Sequence, residues 1–381
     1  MDAIVLAGGE GRRLYPLTKS TPKAYLTIGG RRLYSYTLDM LREARGSLDR
    51  VILVLPRGSL HMLGEVPEWV TAVEQKGVGV EGALATGLEA LDGGGEVVVS
   101  FIGYIARPPT LVRHLLDYYS TSEYPLAVSV APITSGLETF GFVRIGPRGN
   151  VESIQETPGP QWMGGRGYVF AGALVGEYSF ISRLAEDGFT AGLGRMASRG
   201  LVGALTWTGE WIELSYPWDL LSLPALVASG TMLTISGEAE VPRSVVLRGP
   251  IVIERGARIG ESSVVVGPAY IGEGASVGES SIVGPNVSLE RGASVGPLSV
   301  VRNTIAMEGA RIGAQALVEA AILGPNSMIG HQAVVEPGRP RPRYPWVGDA
   351  LERAPSLSIG AVLGPGARIG VRGLESGGFI E

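Results

Sequence analysis

The chain has 381 residues, which is enough for two domains with cores of their own. Hydrophobic residues make up 45% of it and charged residues 18%, a balance typical of ordered proteins and not of disordered chains. The net charge of −5 argues against general nucleic-acid binding, and the lack of cysteine excludes disulfides, thiolate nucleophiles and cysteine-ligated zinc.

The chain opens with the apolar run MDAIVLAGG, which predicts a buried strand ending in a glycine turn and leaves no room for a signal peptide. The stretch LAGGEGRRLYPLTKSTPK follows, with the cations Arg12, Arg13, Lys19 and Lys23. Two of the three lysines of the chain therefore lie in this loop. Successive glycines turn backbone N–H groups toward one concavity, and a helix beginning just after would add its positive end. The loop is expected to bind an anion such as phosphate.

Up to about residue 235, apolar strand-like runs alternate with helical stretches. In chain order the runs are AIVLAGG, LYSYTLDMLREA, RVILVLP, VEGALATGLEALDG, EVVVSFIG, TLVRHLLDYY and PLAVSVAP. This alternation predicts a mostly parallel sheet with helices on both faces. Ligands of such sheets bind beyond the carboxyl ends of the strands, which is where the glycine-rich loop is expected to lie.

The run from Leu220 to Gly237 has the length of a membrane span and no charge. Pro224, Gly230 and several hydroxyl residues interrupt it, so we interpret it as a buried linker helix and strand. We expect no membrane association and a cytoplasmic location.

The second half follows a period of six. Aliphatic residues recur at this spacing at Val241, Leu247, Ile253, Ile259, Val265, Ile271, Val277, Val283, Leu289, Val295 and Val301. This period predicts a β-solenoid in which one aliphatic residue per hexad points inward and three hexads make one coil. The register slips near Ile312 and resumes at Leu323, and the Pro- and Arg-rich segment 337–356 must leave the coil. The solenoid resembles the left-handed β-helix of hexapeptide-repeat proteins.

The opening stretch is similar to the signature of the sugar-1-phosphate nucleotidylyltransferases, L-A-G-G-x-G-T-R-L-x-P-L-T followed by P-K. The sequence departs from it at Arg12, where threonine is usual. The resemblance continues with the segment GEWIELSYPWDLL, close to the family's W-x-D-V-G-x-P-W-D-L-L, and then with the hexapeptide solenoid. The expected fold is α/β: a Rossmann-like nucleotidyltransferase domain with a mixed, mostly parallel sheet over 1–235, then a left-handed parallel β-helix over 236–381.

The resemblance implies a reaction in which a sugar 1-phosphate oxygen attacks the α-phosphorus of a nucleoside triphosphate and pyrophosphate leaves. Arg13 and Lys23 are then the expected catalytic residues, gripping the phosphates. The expected nucleotide-binding residues are Leu6, Ala7, Gly8, Gly9, Gly11, Gln75 and Gly79. The expected sugar-binding residues are Gly141, Glu156 and Gly172.

The sequence departs from the family pattern where the family binds magnesium. Tyr104 stands where a metal-binding Asp is usual, and a phenol does not replace a carboxylate on a hard cation. Glu213 replaces the second Asp and is the remaining candidate metal ligand, so Mg²⁺ is the implied cofactor if the protein is active. Thr157 replaces the lysine of the family's E-K-P, and Phe170 replaces the Asn of N-A-G. The G-T-A segment of the base loop reads Gly79, Val80, Glu81.

The solenoid of bifunctional relatives carries an acetyltransferase His and Tyr, and the best alignment places Ala314 and Leu317 there. His331 is interpreted as a solvated turn residue, so no acetyl transfer is expected. Two hypotheses remain for the first domain: a nucleotidylyltransferase with a rearranged metal site, or a catalytically inactive paralogue that regulates or scaffolds an active one. Either is compatible with a trimer-based homo-oligomer built through the solenoid.

Overall fold

The computed structural model describes residues 1–91, 93–132, 142–155, 167–228, 232–342, 344–345, 347, 351 and 356–381. The chain divides into two compact units. The first unit consists of Met1–Glu10, Pro22–Tyr25 and Leu33–Glu213. The second consists of Gly11–Thr21, Leu26–Arg32 and Leu214–Glu381. The domain boundary expected between residues 235 and 236 stays a prediction.

Strands and helices alternate along the first 228 residues, and each apolar run quoted above forms the expected kind of element. The strands are β1 (Asp2–Leu6), β2 (Thr27–Ile28), β3 (Arg31–Arg32), β4 (Val51–Leu55), β5 (Val70–Glu74), β6 (Glu96–Phe101), β7 (Tyr104–Arg107), β8 (Leu126–Pro132), β9 (Phe142–Ile145), β10 (Val151–Gln155), β11 (Tyr168–Glu177), β12 (Val202–Thr206) and β13 (Glu210–Glu213). The helices are α1 (Leu33–Arg42), α2 (Gly79–Ala90), α3 (Leu111–Thr121), α4 (Tyr178–Asp187), α5 (Phe189–Ser198), α6 (Pro217–Leu220) and α7 (Leu223–Ala228).

The first unit is built on a mixed, mostly parallel sheet, as predicted. Its main path runs β10-β9-β11-β6-β1-β4-β5, and β8 joins β11 to β12. Strands β6, β1, β4 and β5 are mutually parallel. Strand β11 runs antiparallel to β6 and to β8. All five residues of β1 and of β4 are buried, which is the pattern of parallel strands covered on both faces. The carboxyl ends of these parallel strands therefore meet at one edge.

The expectation of a helix directly after the glycine turn is wrong. A single 3₁₀ turn, Arg12–Leu14, follows Gly11, and the next α-helix begins only at Leu33. The reason is local, because Tyr15 is extended (ψ 143°) ahead of Pro16. A residue before proline is disfavoured in the helical region, so the turn cannot propagate. The loop is therefore not followed directly by the N-terminus of an α-helix.

The second unit contains a β-solenoid, as the period of six predicts. Its strands are β14 (Thr234–Ile235), β15 (Val246–Arg248), β16 (Ile251–Ile253), β17 (Arg258–Ile259), β18 (Val264–Val266), β19 (Ala269–Ile271), β20 (Ser276–Val277), β21 (Ile282–Val283), β22 (Val287–Leu289), β23 (Ser294–Val295), β24 (Val300–Arg302), β25 (Thr304–Ala306), β26 (Arg311–Ile312), β27 (Leu317–Glu319), β28 (Ala321–Leu323), β29 (Met328–Ile329), β30 (Val334–Val335), β31 (Ala361–Leu363), β32 (Arg368–Ile369), β33 (Leu374–Glu375) and β34 (Gly378–Ile380). They form three parallel sheets, one along each side of the coil, which is the architecture of a left-handed β-helix. The predicted inward residues from Ile253 to Val301 are buried.

The register slip near Ile312 has a structural cause. Leu247 pairs with Val265, so each early coil takes 18 residues, or three hexads. Val295 pairs with Ile312, and the coil between them takes 17. The expected excursion is also present, because Ile329 pairs with Ile369 across 40 residues. The inward row is therefore continuous although its sequence period is not.

The expectation that residues 220–237 form a buried helix and strand is half right. Helix α7 buries Leu223, Pro224 and Leu226. Strand β14, however, is exposed at both of its residues, because it opens the sheet and pairs with β16 alone. Among the described residues, no helix is long and apolar enough to cross a membrane.

Candidate nucleotide site

The glycine turn lies at the carboxyl end of β1, in the middle of the sheet of the first unit. The Ala7 N–H donates to the Val54 carbonyl (2.9 Å) and so continues the β1–β4 ladder past Leu6. Leu6 and Ala7 are buried, so they can offer a ligand only backbone groups. Gly8 and Gly9 come next, and a Cβ added to Gly9 would meet nothing within 4 Å. The space over Gly9 is open.

Gln75 follows β5 at the same edge of the sheet and lies against Gly8. A Cβ added to Gly8 would stand 1.7 Å from Gln75 Oε1, so only glycine permits this approach. The Gln75 amide donates through Nε2 to the Gly77 and Gly79 carbonyls, at 2.8 and 2.9 Å. Gln75 is only 8% exposed. Its Oε1 is buried and has no hydrogen-bond partner among the described residues. A buried acceptor in this state is ready for an N–H donor from a ligand.

Gly79 holds the loop between β5 and α2 in shape. It adopts φ +76° as the first residue of α2, a conformation that glycine accepts at little cost. Beside Gln75, the carboxylate of Glu74 accepts a hydrogen bond from the Leu60 N–H (2.8 Å), which lowers the pKa of that carboxyl. The Glu74 carboxylate thus contacts the neighbouring loop, whereas the Gln75 side chain lies nearest to Gly8.

The two positions at which the family resemblance implied metal ligands are brought together. Tyr104 begins β7 just after β6, and Glu213 ends β13. The antiparallel pairing of these strands sets Tyr104 directly opposite Glu213. Gly172, with φ +91°, lies under the Tyr104 side chain, since a Cβ added to it would stand 2.2 Å from Tyr104 Cβ. Tyr104, Glu213 and Gly172 thus form one locality.

Aromatic side chains fill this locality. We call the five half-buried rings Phe101, Tyr104, Phe170, Phe189 and Trp211 the ring cluster. Their neighbouring centroids are 5.1 to 6.4 Å apart, mostly in edge-to-face contact. Sequence reasoning marked Tyr104 and Phe170 as departures from a pattern but missed the other three rings, since nothing in the sequence signals that they meet.

The side chains present do not fit a divalent cation. Mg²⁺ prefers charged oxygen ligands in octahedral geometry, and here one carboxylate, Glu213, faces a phenol within a cluster of rings. Among the described residues, no three acidic or histidine side chains come together in a group that could hold a metal ion. The magnesium centre implied by the resemblance is therefore not supported by the donor set.

The remaining predicted residues divide between the units. Lys23 begins a 3₁₀ turn of the first unit, whose next two residues are buried in its core. Gly11 and Arg13 belong to the second unit, where the Thr18 hydroxyl donates to the Gly11 carbonyl (2.7 Å) and the Arg13 guanidinium lies 5.8 Å from the Tyr216 ring centroid. Gly141, Glu156 and Thr157 lie outside the described residues.

Sequence reasoning also missed the role of Glu81, which it noted only as a replaced base-loop residue. Its carboxylate accepts a hydrogen bond from the backbone N–H of Phe189 (2.9 Å), at the first turn of α5. This hydrogen bond connects the first turn of α2, which lies beside the glycine turn, with Phe189 of the ring cluster. The available signal was an acidic residue in the first turn of a helix, which is too common to indicate such a bond.

Two family models match separate parts of the chain. Residues 3–159 match the MobA-like NTP transferase domain, and residues 265–370 match the GMPPB C-terminal domain. The first match contains the glycine turn and Gln75, and the second covers most of the solenoid. The first match thus falls on the mixed sheet that carries the glycine turn, and the second falls on the solenoid.

Curated relatives match about two thirds of the chain. The bifunctional GlmU proteins of Methanococcus maripaludis (strain C5) and Methanocaldococcus jannaschii are each 24% identical, over 68% of this chain and 61% of their own lengths. A bifunctional sugar-1-phosphate nucleotidylyltransferase/acetyltransferase of Sulfurisphaera tokodaii is 23% identical over 68% of this chain and 63% of its own length. The chain thus spans about three fifths of the relatives it matches. These relatives are what the chain is similar to over about two thirds of its length.

Proposed function

We propose that the first unit binds a nucleoside triphosphate or a nucleotide sugar at the glycine turn. The observation that carries this proposal is the buried, unpartnered Gln75 Oε1 beside Gly8. Two backbone carbonyls hold Nε2, so the amide cannot turn to satisfy its own oxygen. A nucleobase presents ring or exocyclic N–H groups at its edge, and these are the donors that such an oxygen accepts.

The other nucleotide contacts follow from the same edge of the sheet. Leu6 and Ala7 supply backbone groups, Gly8 permits the approach of Gln75, and the open space over Gly9 accommodates ribose or phosphate. Gly79 contributes by fixing the loop that holds the Gln75 amide. In this proposal Lys23 binds the phosphates of the ligand. The proposed phosphate contacts of Arg13 and Gly11 rest on the sequence pattern alone, because both residues belong to the second unit.

The reaction proposed from the family is nucleotidyl transfer. An oxygen of the sugar 1-phosphate attacks the α-phosphorus, a new P–O bond forms, and the bond to the β-phosphate breaks as pyrophosphate leaves. This reaction depends on positioning the substrates and on neutralising the charge of their phosphates. Lys23 and Arg13 are the side chains proposed to neutralise that charge. Gly141 and Glu156 remain proposed sugar contacts on the sequence pattern. Gly172 remains one as well, although its Cα faces the Tyr104 ring.

A second function, that of a catalytically inactive paralogue, is favoured by the ring cluster. Tyr104 and Phe170 replace polar residues of the family pattern and contact each other, with centroids 5.8 Å apart. A protein of this kind would bind nucleotide and regulate or scaffold an active relative. Ala314 and Leu317 stand where an acetyltransferase would place its reacting groups, so the proposal includes no acetyl transfer under either function.

Pyrophosphate release separates the two functions. Common nucleoside triphosphates and hexose 1-phosphates are combined in a grid with magnesium, and Tyr104→Asp is assayed beside the unmodified chain. Turnover by the unmodified chain establishes the enzyme and names its substrates. Activity confined to the variant establishes a protein disabled at Tyr104. Silence from both, together with nucleotide binding, favours the regulatory or scaffolding function and directs the next search to its partner.

We further propose a trimer-based homo-oligomer in the cytoplasm, built through one side of the solenoid. On the sheet that begins with β15, one outward aliphatic residue per strand continues in register from coil to coil. We call this row the aliphatic ladder: Val246, Val264, Ile282, Val300, Leu317, Val334 and Leu374. A continuous apolar row on an outer face is a surface that association would cover.

A further inference from the structure

The departures from the family pattern are not scattered, because they contact one another. Tyr104 and Phe170 stand in edge-to-face contact at 5.8 Å, with an angle of 70° between their planes. Phe101, at the end of β6, touches both of them, at 6.3 and 5.6 Å. Contacts of this geometry are favourable beyond the burial of the rings. The two replacements therefore stabilise each other.

The base-loop departure belongs to the same group. Phe189, the first residue of α5, packs on Phe101 at 5.1 Å and on Phe170 at 6.4 Å. Its backbone N–H donates to the Glu81 carboxylate at 2.9 Å. Glu81 therefore helps to hold Phe189 at its place in the ring cluster. Three replaced positions, Glu81, Tyr104 and Phe170, lie in one connected set of contacts.

The position of the Tyr104 ring is fixed by the backbone. Its Cβ and Cγ lie so close to Gly172 that an added Cβ would stand 2.2 and 2.3 Å from them. Tyr104 also meets Trp211 at 6.2 Å, and Trp211 donates through Nε1 to the Ala171 carbonyl (3.4 Å). The backbone at Gly172 and the Trp211 ring therefore both restrict movement of the Tyr104 ring that would open a hydrated cavity for an ion.

A hard cation has poor ligands in this locality. Magnesium sites use one or two carboxylates together with waters and phosphates, and magnesium gives up its waters reluctantly. The cross-strand partner of Glu213 is a phenol, and three further rings, those of Phe101, Phe170 and Trp211, contact that phenol ring. Aromatic rings occupy the space in which the water ligands of such an ion would lie. The side chains that do not fit the magnesium ion implied by the family therefore come from several strands and from α5.

We propose that the ring cluster takes the place of the metal centre, so that the locality of Tyr104 and Glu213 holds no divalent cation and the first unit binds its nucleotide without one there. The nucleotide part of this inference rests on the function proposed above. Phosphate charge is then neutralised by cationic side chains and backbone N–H groups, which need no metal.

Manganese is the direct probe, because its electron paramagnetic resonance signal reports the free ion. Titration of the full chain with Mn²⁺ alone is expected to give a Kd above about 1 mM, as for a single carboxylate. Glu213→Gln should leave this value unchanged, as should Tyr104→Phe and the exposed control Glu68→Gln. A Kd below about 100 µM that Glu213→Gln abolishes would overturn the inference.

Nucleotide binding gives a second, separate readout. UTP, dTTP, GTP, ATP and CTP are titrated in a magnesium buffer and in an EDTA buffer. For each nucleotide that binds, the Kd values in the two buffers are expected to agree within about twofold. Tightening by magnesium of about tenfold or more, lost in Glu213→Gln, would overturn the inference. If no nucleotide binds in either buffer, the proposed function and the nucleotide clause fail together, while the manganese result still decides whether the cation site exists.

Discussion

Tyr104 lies directly opposite Glu213 in the antiparallel pair formed by β7 and β13. Both residues stand where the family resemblance implied an acidic metal ligand, and one has become a phenol packed on the backbone of Gly172. The pairing places the two sequence motifs side by side in the first unit. Aromatic rings occupy the space around Tyr104.

The contact between Tyr104 and Gly172 predicts a large cost for Gly172→Ala. The added methyl group needs a positive φ, which costs about 1 to 2 kcal/mol, and it also collides with Tyr104, which costs about 1 to 3 kcal/mol more. Gly200→Ala is the matched control, since Gly200 also has a positive φ (72°) but meets nothing within 4 Å. Urea unfolding should show the larger loss for Gly172→Ala. Equal losses would contradict the packing described here.

The approach of Gln75 to Gly8 predicts a second cost. In Gly8→Ala the added methyl group displaces Gln75 Oε1 and breaks the bonds from Nε2 to two carbonyls, so we expect a loss of about 1 to 3 kcal/mol in the free energy of unfolding. Adding Gln75→Ala to Gly8→Ala should relieve the collision, and the two changes should be non-additive. Strict additivity in a double-mutant cycle would show that the methyl group added at position 8 does not contact the Gln75 side chain.

A buried carboxylate in the second unit predicts that stability depends on pH. Glu290 is 1% exposed and accepts hydrogen bonds from the N–H groups of Gly29 (2.7 Å) and Gly30 (2.9 Å) and from the Ser288 hydroxyl (2.6 Å). Burial outweighs these bonds and raises the pKa of Glu290 to about 7. A folded-state pKa above the unfolded value means that the folded protein binds more protons, so stability falls as pH rises through this interval.

The expected fall between pH 4.5 and 7 is at most on the order of 3 kcal/mol. Denaturant midpoints measured across this range should drop for the unmodified chain and stay flatter for Glu290→Gln. Glu261→Gln, at an exposed solenoid position, should keep the unmodified slope. A Glu290→Gln variant with an unchanged slope would show that Glu290 titrates normally.

The aliphatic ladder predicts that one charge on the solenoid face breaks self-association. Ile282 is 37% exposed at the middle of the ladder, and Ile282→Arg would place a cation in each copy of the interface. Multi-angle light scattering should show a smaller species than the unmodified chain. Val371→Arg, at an exposed aliphatic residue outside the ladder, should not change the mass. An unmodified chain that is monomeric would contradict the proposal at once.

The periodic parts of the fold were predictable from the sequence. A buried parallel strand such as Val51–Leu55 is a continuous apolar run, and the solenoid repeats one inward residue every six. The helix expected after the glycine turn was wrong because Pro16 imposes an extended residue before it. The exposure of β14 was missed because an apolar run does not reveal that its strand opens a sheet.

The site was only partly predictable. Gly8, Gly9 and Gln75 were found because a long motif surrounds them, and the structure places Gly8 against Gln75. The ring cluster was missed because its members come from β6, β7, β11, α5 and β13, and no local pattern links residues so far apart. The bond from Phe189 to Glu81 spans 108 positions and is equally invisible in one sequence.

Nucleotide binding to a matched pair of glycine variants tests the central claim most directly. UTP, dTTP, GTP, ATP and CTP are titrated against the unmodified chain, Gly9→Ala and Gly46→Ala, with thermal unfolding measured on each. Both glycines have open space around them, so neither variant should lose stability. The account predicts that at least one nucleotide binds and that Gly9→Ala alone weakens it by about tenfold or more. Absence of binding by the unmodified chain, or binding that Gly9→Ala leaves unchanged, would contradict it.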